Sequence, residues 1–287
     1  MKSLKPQTAL KDEERRIGIL KARLKLAAEY ATRREYFDAI GEHRHLYEML
    51  LRVACLRHRY SWGDAQSPLF EAIDLSIALA ELWVRGNQAT VSAKDTDKPY
   101  TDTGHLWSAT PAEIDFIYFR FATAAIIALL KYPTIPEVFL RLRPDFSQWN
   151  SSRPRFLLNY PDFGVLELLA GNELPGWWGG MSQDVVKTFP DSTLLTDTLE
   201  SYLNIIRECR RNNWSAAIKA ISRSESLYLL RYQTESDEFE PWEGVGGGNP
   251  LSLDLRLGAL LNHCFPAHSE TLAAVTSIHR WSSCAIV

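Results

Sequence analysis

Residues 110–132, TPAEIDFIYFRFATAAIIALLKY, constrain the fold more than any other part of this chain. Thr110 can cap a helix, Pro111 suits the first helical position, and Glu113 completes a Thr-x-x-Glu capping box. Pro133 follows the segment directly and disfavours a helical continuation. These start and stop signals predict one helix over residues 110–132.

The interior of this predicted helix is a run of ten uncharged residues, FATAAIIALL, between Arg120 and Lys131. The run is apolar around its whole circumference, which is typical of a helix surrounded by other helices. It is too short to cross a bilayer, which requires about 20 apolar residues. We therefore predict a buried central helix and no association with a membrane.

The rest of the chain shows helical periodicity on both sides of this segment. Residues 10–32 and 36–60 read as one antiparallel hairpin, and residues 194–211 and 214–232 as another. Strand-like alternation never persists beyond about four residues. The predicted class is all-α, with antiparallel helical hairpins packed around the central helix. A faint similarity between the two hairpins leaves open a stack resembling helical repeats.

Ser67-Pro68 predicts the start of a third helix, which runs to about Arg85. The polar stretch that follows, over residues 86–108, contains many turn formers and shows no periodicity, so we predict a long surface loop there. It is the strongest candidate for a boundary within the chain. We predict an N-terminal helical subdomain over residues 1–108. Residues 109–287 would contain the central helix and the C-terminal helices, with the two parts fused in one compact unit.

Composition and charge exclude some classes of protein. The hydrophobic fraction of 46% and charged fraction of 23% are ordinary for a globular protein. The net charge is −3, and the basic residues are interleaved with acidic ones even in residues 1–60, where Lys and Arg are most frequent. Because nucleic-acid binding needs a concentrated basic surface, we do not expect a nucleic-acid partner.

The four cysteines are scattered without CxxC spacing, and no secretory signal segment opens the chain. Both features indicate a cytoplasmic protein with reduced thiols. The last four residues, Cys284-Ala285-Ile286-Val287, have the form of a prenylation signal. No polybasic run lies upstream of them, and such short matches are common by chance. The sequence does not decide whether Cys284 is modified.

Catalytic signatures are mostly missing. The chain has no GxSxG elbow, no HExxH, no phosphate-binding loop with its lysine, and no GxGxxG after a strand. His263, Cys264 and His268 form a tight group, but a zinc site would need a fourth ligand. We interpret them as polar residues at a helix end, and we predict no catalytic residues, no cofactor and no metal.

Charged residues within apolar helices form a second set of candidates. Arg120 interrupts the central helix, and Asp254 lies within LSLDLRLGALL. A buried guanidinium needs a partner, so we predict that these two residues pair. An alternative is that the side chain of Arg120 reaches the surface.

Trp177 and Trp178 lie between glycines. They either fill a groove in the protein itself or present aromatic surface to a partner, and we favour the first.

Residues 233–243, QTESDEFEPWE, combine acidic charge with aromatic side chains and contain no lysine or arginine. Acidic charge steers a basic partner, and aromatic side chains supply the apolar anchors of a bound complex. We predict that this segment binds a basic protein. The candidate partner-binding residues are Glu235, Asp237, Glu238, Phe239, Glu240, Trp242 and Glu243.

A resemblance to a known family rests on two sequences. An arginine-rich helical hairpin leads into Tyr60-Ser61-x-Gly63, and the central helix reads Tyr118-Phe119-Arg120-Phe121-Ala122-Thr123-Ala124-Ala125. This pattern, over about residues 30–130, resembles the large all-helical immunity proteins of bacterial polymorphic-toxin and type VI secretion systems. The resemblance implies a cytoplasmic protein that binds and neutralises a cognate toxin, often a nuclease. It assigns no binding residue.

Two other functions stay open on sequence alone. One is an all-helical enzyme with a dispersed polar site, for which Arg120, Asp254, Arg256 and His263 are the residues best able to do polar work near a core. The other is a helical-repeat scaffold.

Overall fold

A computed structural model describes residues 6–26, 33–92, 121–142, 160–174, 178, 187, 193–234 and 255–265. The described residues up to Ser92 belong to one compact unit, and those from Phe121 onward belong to a second. Regular structure is helical throughout these ranges, and none of the described residues lies in a strand, so the all-α prediction is confirmed. The predicted boundary between residues 108 and 109 lies outside the described residues and stays a prediction.

We number the helices along the chain. Those of the N-terminal unit are α1 (Pro6–Leu26), α2 (Arg33–Tyr60) and α3 (Gln66–Ser92). The C-terminal unit begins with α4 (Phe121–Ile127), which continues into a 3-10 turn (Ala128–Leu130), and with α5 (Glu137–Arg141). It continues with α6 (Tyr160–Leu169), α7 (Thr193–Arg210), α8 (Trp214–Thr234) and α9 (Leu255–Cys264).

In the N-terminal unit, α1 packs against α2, and α2 packs against α3. Among the side chains of α1 that the structure describes, only Ile17 and Leu20 are buried. Two ion pairs supplement this thin apolar contact, Glu13 with Arg52 at 3.0 Å and Glu14 with Arg57 at 2.8 Å, and Lys21 pairs with Glu71 of α3. The first half of α1 thus lies against the second half of α2, as in an antiparallel pair.

Two neighbouring glutamates on α1 allow a test of these ion pairs. The side chain of Glu13 is 13% exposed and that of Glu14 is 40% exposed. We expect Glu13→Gln to lower the free energy of unfolding by about 1–2 kcal/mol, because Arg52 then keeps a partly buried charge without a counter-charge. We expect Glu14→Gln to cost about 0.5 kcal/mol or less. Urea unfolding at neutral pH measures both, and equal costs would contradict the difference.

The connection between α2 and α3 is a tight turn with a helix cap. Ser61 and Gly63 adopt φ values of 54° and 99°. Asp64 then caps α3, because its Oδ1 accepts hydrogen bonds from the backbone N–H groups of Gln66 at 2.9 Å and Ser67 at 3.3 Å. The sequence pattern of Ser67 followed by proline predicted a start at Ser67, and the cap is instead supplied by Asp64.

The helix α3 is longer than the sequence predicts. It continues through Gly86 to Ser92, whereas the polar stretch from residue 86 was predicted to be a loop. One glycine costs a helix only about 1 kcal/mol, and no proline lies near Gly86 to end it. The loop prediction is therefore wrong for residues 86–92, and residues 93–108 lie outside the described part.

The core of the C-terminal unit is built around the apolar run of the predicted central helix. All residues from Phe121 to Leu130 are buried, and α4 contacts α5, α6 and α9. The helix ends earlier than predicted, because the chain tightens into the 3-10 turn before Pro133. Both Lys131 and Tyr132 donate their backbone N–H groups to the carbonyl oxygen of Ala128. Residues 110–120 of the predicted helix lie outside the described residues.

Helices α7 and α8 match the predicted helices over residues 194–211 and 214–232 and pack against each other. The connection uses the local chemistry of two asparagines. Asn212 adopts a left-handed φ of 56°, and the side-chain oxygen of Asn213 accepts the backbone N–H of Ala216 at 3.4 Å. Asparagine tolerates the left-handed region and caps helices well, so this turn was predictable from its residues.

Trp178 is buried in the C-terminal unit, with 3% of its surface exposed. Its indole ring lies directly on Gly164 of α6. A Cβ atom built on Gly164 would lie 2.3 Å from Cζ2 of the ring, a distance that no real contact reaches. Trp178 therefore fills a groove in the protein itself and is not available to a partner. Trp177 lies outside the described residues.

Candidate functional site

The residues predicted to bind a partner lie outside the described part of the chain. They are Glu235, Asp237, Glu238, Phe239, Glu240, Trp242 and Glu243. Arg120 and Asp254, predicted to pair in the core, also lie outside it. Both assignments stay predictions, and the site that the structure does describe is built from other residues.

A buried ion pair joins Arg256 of α9 to Asp162 of α6. Nη1 of Arg256 lies 3.3 Å from Oδ1 of Asp162 and 3.4 Å from Oδ2. Each side chain is 3% exposed. The sequence reasoning expected a buried arginine with a carboxylate partner, and the described residues contain such a pair at different positions.

Two further side chains complete this cluster. The hydroxyl group of Thr123, on α4, donates a hydrogen bond to Oδ2 of Asp162 at 3.0 Å. The guanidinium carbon of Arg256 lies 5.5 Å from the ring centroid of Tyr202, on α7, which is a cation–π distance. The cluster thus connects α4, α6, α7 and α9 through one carboxylate and one guanidinium.

Because this cluster is buried, its side chains have little access to solvent or to a ligand. Thr123, Asp162, Tyr202 and Arg256 are each exposed by 3% or less. The hydroxyl of Thr123 and the guanidinium of Arg256 contact the carboxylate of Asp162, and the guanidinium also faces the ring of Tyr202. A carboxylate and a guanidinium so placed satisfy each other, as buried charges require. We conclude that the cluster holds helices together. Arg256, a candidate of the enzyme hypothesis, has this structural role.

The end of α6 is capped by an arginine from α7. Arg210 donates hydrogen bonds to the carbonyl oxygens of Leu168 and, at 3.3 Å, of Asn172. These carbonyls lie at or just after the helix end, where a positive charge is favourable, and the carbonyl oxygen of Leu168 also accepts the backbone N–H of Gly171 at 3.0 Å. Gly171 adopts φ of 91° and lets the chain turn away. Arg210 therefore fixes the last turn of α7 against α6.

His263 lies near the end of α9, half-buried, and its ring hydrogen-bonds the carbonyl oxygen of Pro133. Burial lowers the pKa of His263 from its ordinary value, and this hydrogen bond opposes the shift only in part. The ring is thus held by the backbone. Within the described ranges no group of three histidine, cysteine or acidic side chains could hold a metal ion. His268 lies outside those ranges.

Sequence reasoning missed two features of this unit. Asp162 lies in the first turn of an apolar helix. Acidic residues are common there because they interact favourably with the helix dipole, so nothing in the sequence indicated that Asp162 pairs with Arg256. A second feature is the contact between Cys209 and Cys264, in the last turns of α7 and α9. No sequence signal marks it, because the two residues lie far apart in the chain.

Comparisons with protein-family models, curated proteins and solved structures find no match to this chain. In the part of the chain that the structure describes, no helix is both long enough and apolar enough to cross a membrane. We therefore infer the function from the residues of this protein.

Proposed function

We propose that this protein acts by binding another protein and performs no catalysis itself. In its most concrete form, it is an immunity protein that neutralises a cognate bacterial toxin in the cytoplasm. Residues 233–243 are part of the binding surface in this proposal, and the partner is a basic toxin domain.

The observation that carries the proposal is the position of this segment at the end of α8. The helix runs to Thr234, so the acidic residues begin directly after its last residue. Leu230, in its last turn, is 49% exposed. In this proposal Leu230 joins Phe239 and Trp242 in one apolar patch rimmed by acidic residues, which is the kind of surface that marks a protein interface. An apolar side chain therefore lies five positions in the sequence before the first acid of the segment, Glu235.

The composition of the segment suits a basic partner. Its five acidic residues give it a local negative charge, which accelerates encounter with a positive surface. Phe239 and Trp242 supply large side chains that bury apolar area on docking. The charges should therefore act mainly on association, and the aromatic side chains mainly on dissociation.

The test begins with a pull-down from the native host and mass spectrometry, followed by binding kinetics with the captured protein. Replacing Glu235, Asp237 and Glu238 by glutamine should lower the association rate severalfold and flatten its dependence on salt. We expect Trp242→Ala to weaken binding by about 30-fold, or about 2 kcal/mol, mainly through faster dissociation.

Two controls separate these effects from general changes of the protein. Exposed acids elsewhere, Asp74, Glu81 and Glu173, can be neutralised together to give the same change in net charge. Trp242→Phe keeps an aromatic anchor and should lose much less affinity than the alanine variant. A captured partner that binds the segment variants and the wild type equally would show that the surface lies elsewhere. A captured partner without toxic activity would reject the immunity function.

A further inference from the structure

Two thiols meet where α7 and α9 end. A hydrogen bond joins the side chains of Cys209 and Cys264. Both side chains are partly exposed, whereas Cys55 in the N-terminal unit is fully buried. The two side chains are thus direct neighbours at a place where α7 packs against α9. Their exposure gives a small oxidant access to them.

The backbone on both sides of this contact is held in place. Next to Cys209, Arg210 is bonded to the carbonyl oxygens at the end of α6. Next to Cys264, the ring of Phe265 packs edge-on against Trp214 with 5.4 Å between centroids. Asn262 also donates a hydrogen bond at 3.0 Å to a carbonyl oxygen of the 3-10 turn. The two thiols therefore stay together as part of the folded unit.

The hydrogen bond also makes the two thiols unequal. It lowers the pKa of Cys209, because the donated proton stabilises the Cys209 thiolate, and it raises the pKa of Cys264. The charge of Arg210 opposes the rise at Cys264. Burial raises the pKa of Cys55 to about 12, so this thiol stays protonated. Since the thiolate is the nucleophile, we expect Cys209 to react first.

We propose that Cys209 and Cys264 form an oxidation site, at which a hydroperoxide converts the two thiols into a reversible disulfide that links α7 to α9. Such a site goes beyond the proposed partner-binding function and does not depend on it. Cys209 is the attacking residue and Cys264 the resolving residue.

The reaction balances in two steps. The Cys209 thiolate attacks one oxygen of hydrogen peroxide, the O–O bond breaks, and the leaving hydroxide takes up a proton to give water and a Cys209 sulfenic acid. The sulfur of Cys264 then loses its proton and attacks the sulfur of Cys209. The S–S bond forms, the S–O bond breaks, and the second hydroxide leaves as water. The two sulfurs supply the two electrons that reduce the peroxide, and a dithiol reductant reverses the change.

The test uses the full-length protein treated with hydrogen peroxide, alkylated and digested for mass spectrometry, beside a sample kept reduced. We expect one cross-linked peptide pair that joins Cys209 to Cys264 and disappears after reduction with dithiothreitol. The oxidised protein should also unfold at a temperature about 5–10 °C higher, because the bond closes a loop of about 50 residues in the unfolded chain.

Substitutions supply the controls. Cys209→Ser and Cys264→Ser should each abolish the cross-link and the rise in unfolding temperature, whereas Cys55→Ala should abolish neither. If a serine variant fails to fold, the peptide map of the wild type still decides the proposal. Oxidation of Cys209 to a sulfinic acid without a cross-link would overturn it. So would pairing of either thiol with Cys284 or with a second molecule.

Discussion

Replacing Gly164 with alanine is expected to lower the free energy of unfolding by about 3 kcal/mol. The added methyl group would lie 2.3 Å from the indole ring of Trp178, so the buried ring has to leave its site. Losing the packing of a buried tryptophan costs about 3–5 kcal/mol, and the better helix propensity of alanine offsets about 1 kcal/mol of it. Denaturant unfolding monitored by circular dichroism measures the change.

The matched control for this substitution is Gly18→Ala. Gly18 lies in the interior of α1 and is exposed, and a Cβ atom added there would have no other atom within 4 Å. Alanine there should raise the free energy of unfolding by about 0.5–1 kcal/mol. In a Trp178→Ala background, Gly164→Ala should likewise be neutral or stabilising, because the ring is gone. A similar loss with and without Trp178 would show that the contact is not the cause.

The second large effect on stability is expected from breaking the buried ion pair between Asp162 and Arg256. We expect Asp162→Ala and Arg256→Met each to lower the free energy of unfolding by about 3–5 kcal/mol, because each leaves one buried charge without its partner. In Asp162→Ala the hydroxyl of Thr123 loses its acceptor as well. Thermal and denaturant unfolding of the single variants measure the costs.

The double variant Asp162→Ala with Arg256→Met tests whether the two residues act on each other. It should cost clearly less than the sum of the single changes, because no charge is left unpaired in the core. The exposed pair Glu137 and Arg141 on α5 is the control, with side chains 77% and 60% exposed. Arg141→Met should change stability little. Additive costs for Asp162 and Arg256 would contradict their pairing.

Local sequence signals determined most of the helical structure. The Arg-Asn-Asn turn between α7 and α8 was predictable because asparagine both adopts left-handed φ values and caps helices. The burial of residues 121–130 was predictable because a run that is apolar on every side has no favourable place at a surface. Where local signals competed, as at Gly86, the predicted helix end was wrong.

Only the tertiary structure decided which distant side chains meet. Arg256 pairs with Asp162, 94 positions away, and Trp178 lies on Gly164. The thiols of Cys209 and Cys264 meet where two helices end. Propensity and periodicity act over a few residues and specify that a helix forms and which of its faces is apolar. The pairing of residues depends on how those faces interlock, and this is set by the shapes of many side chains at once.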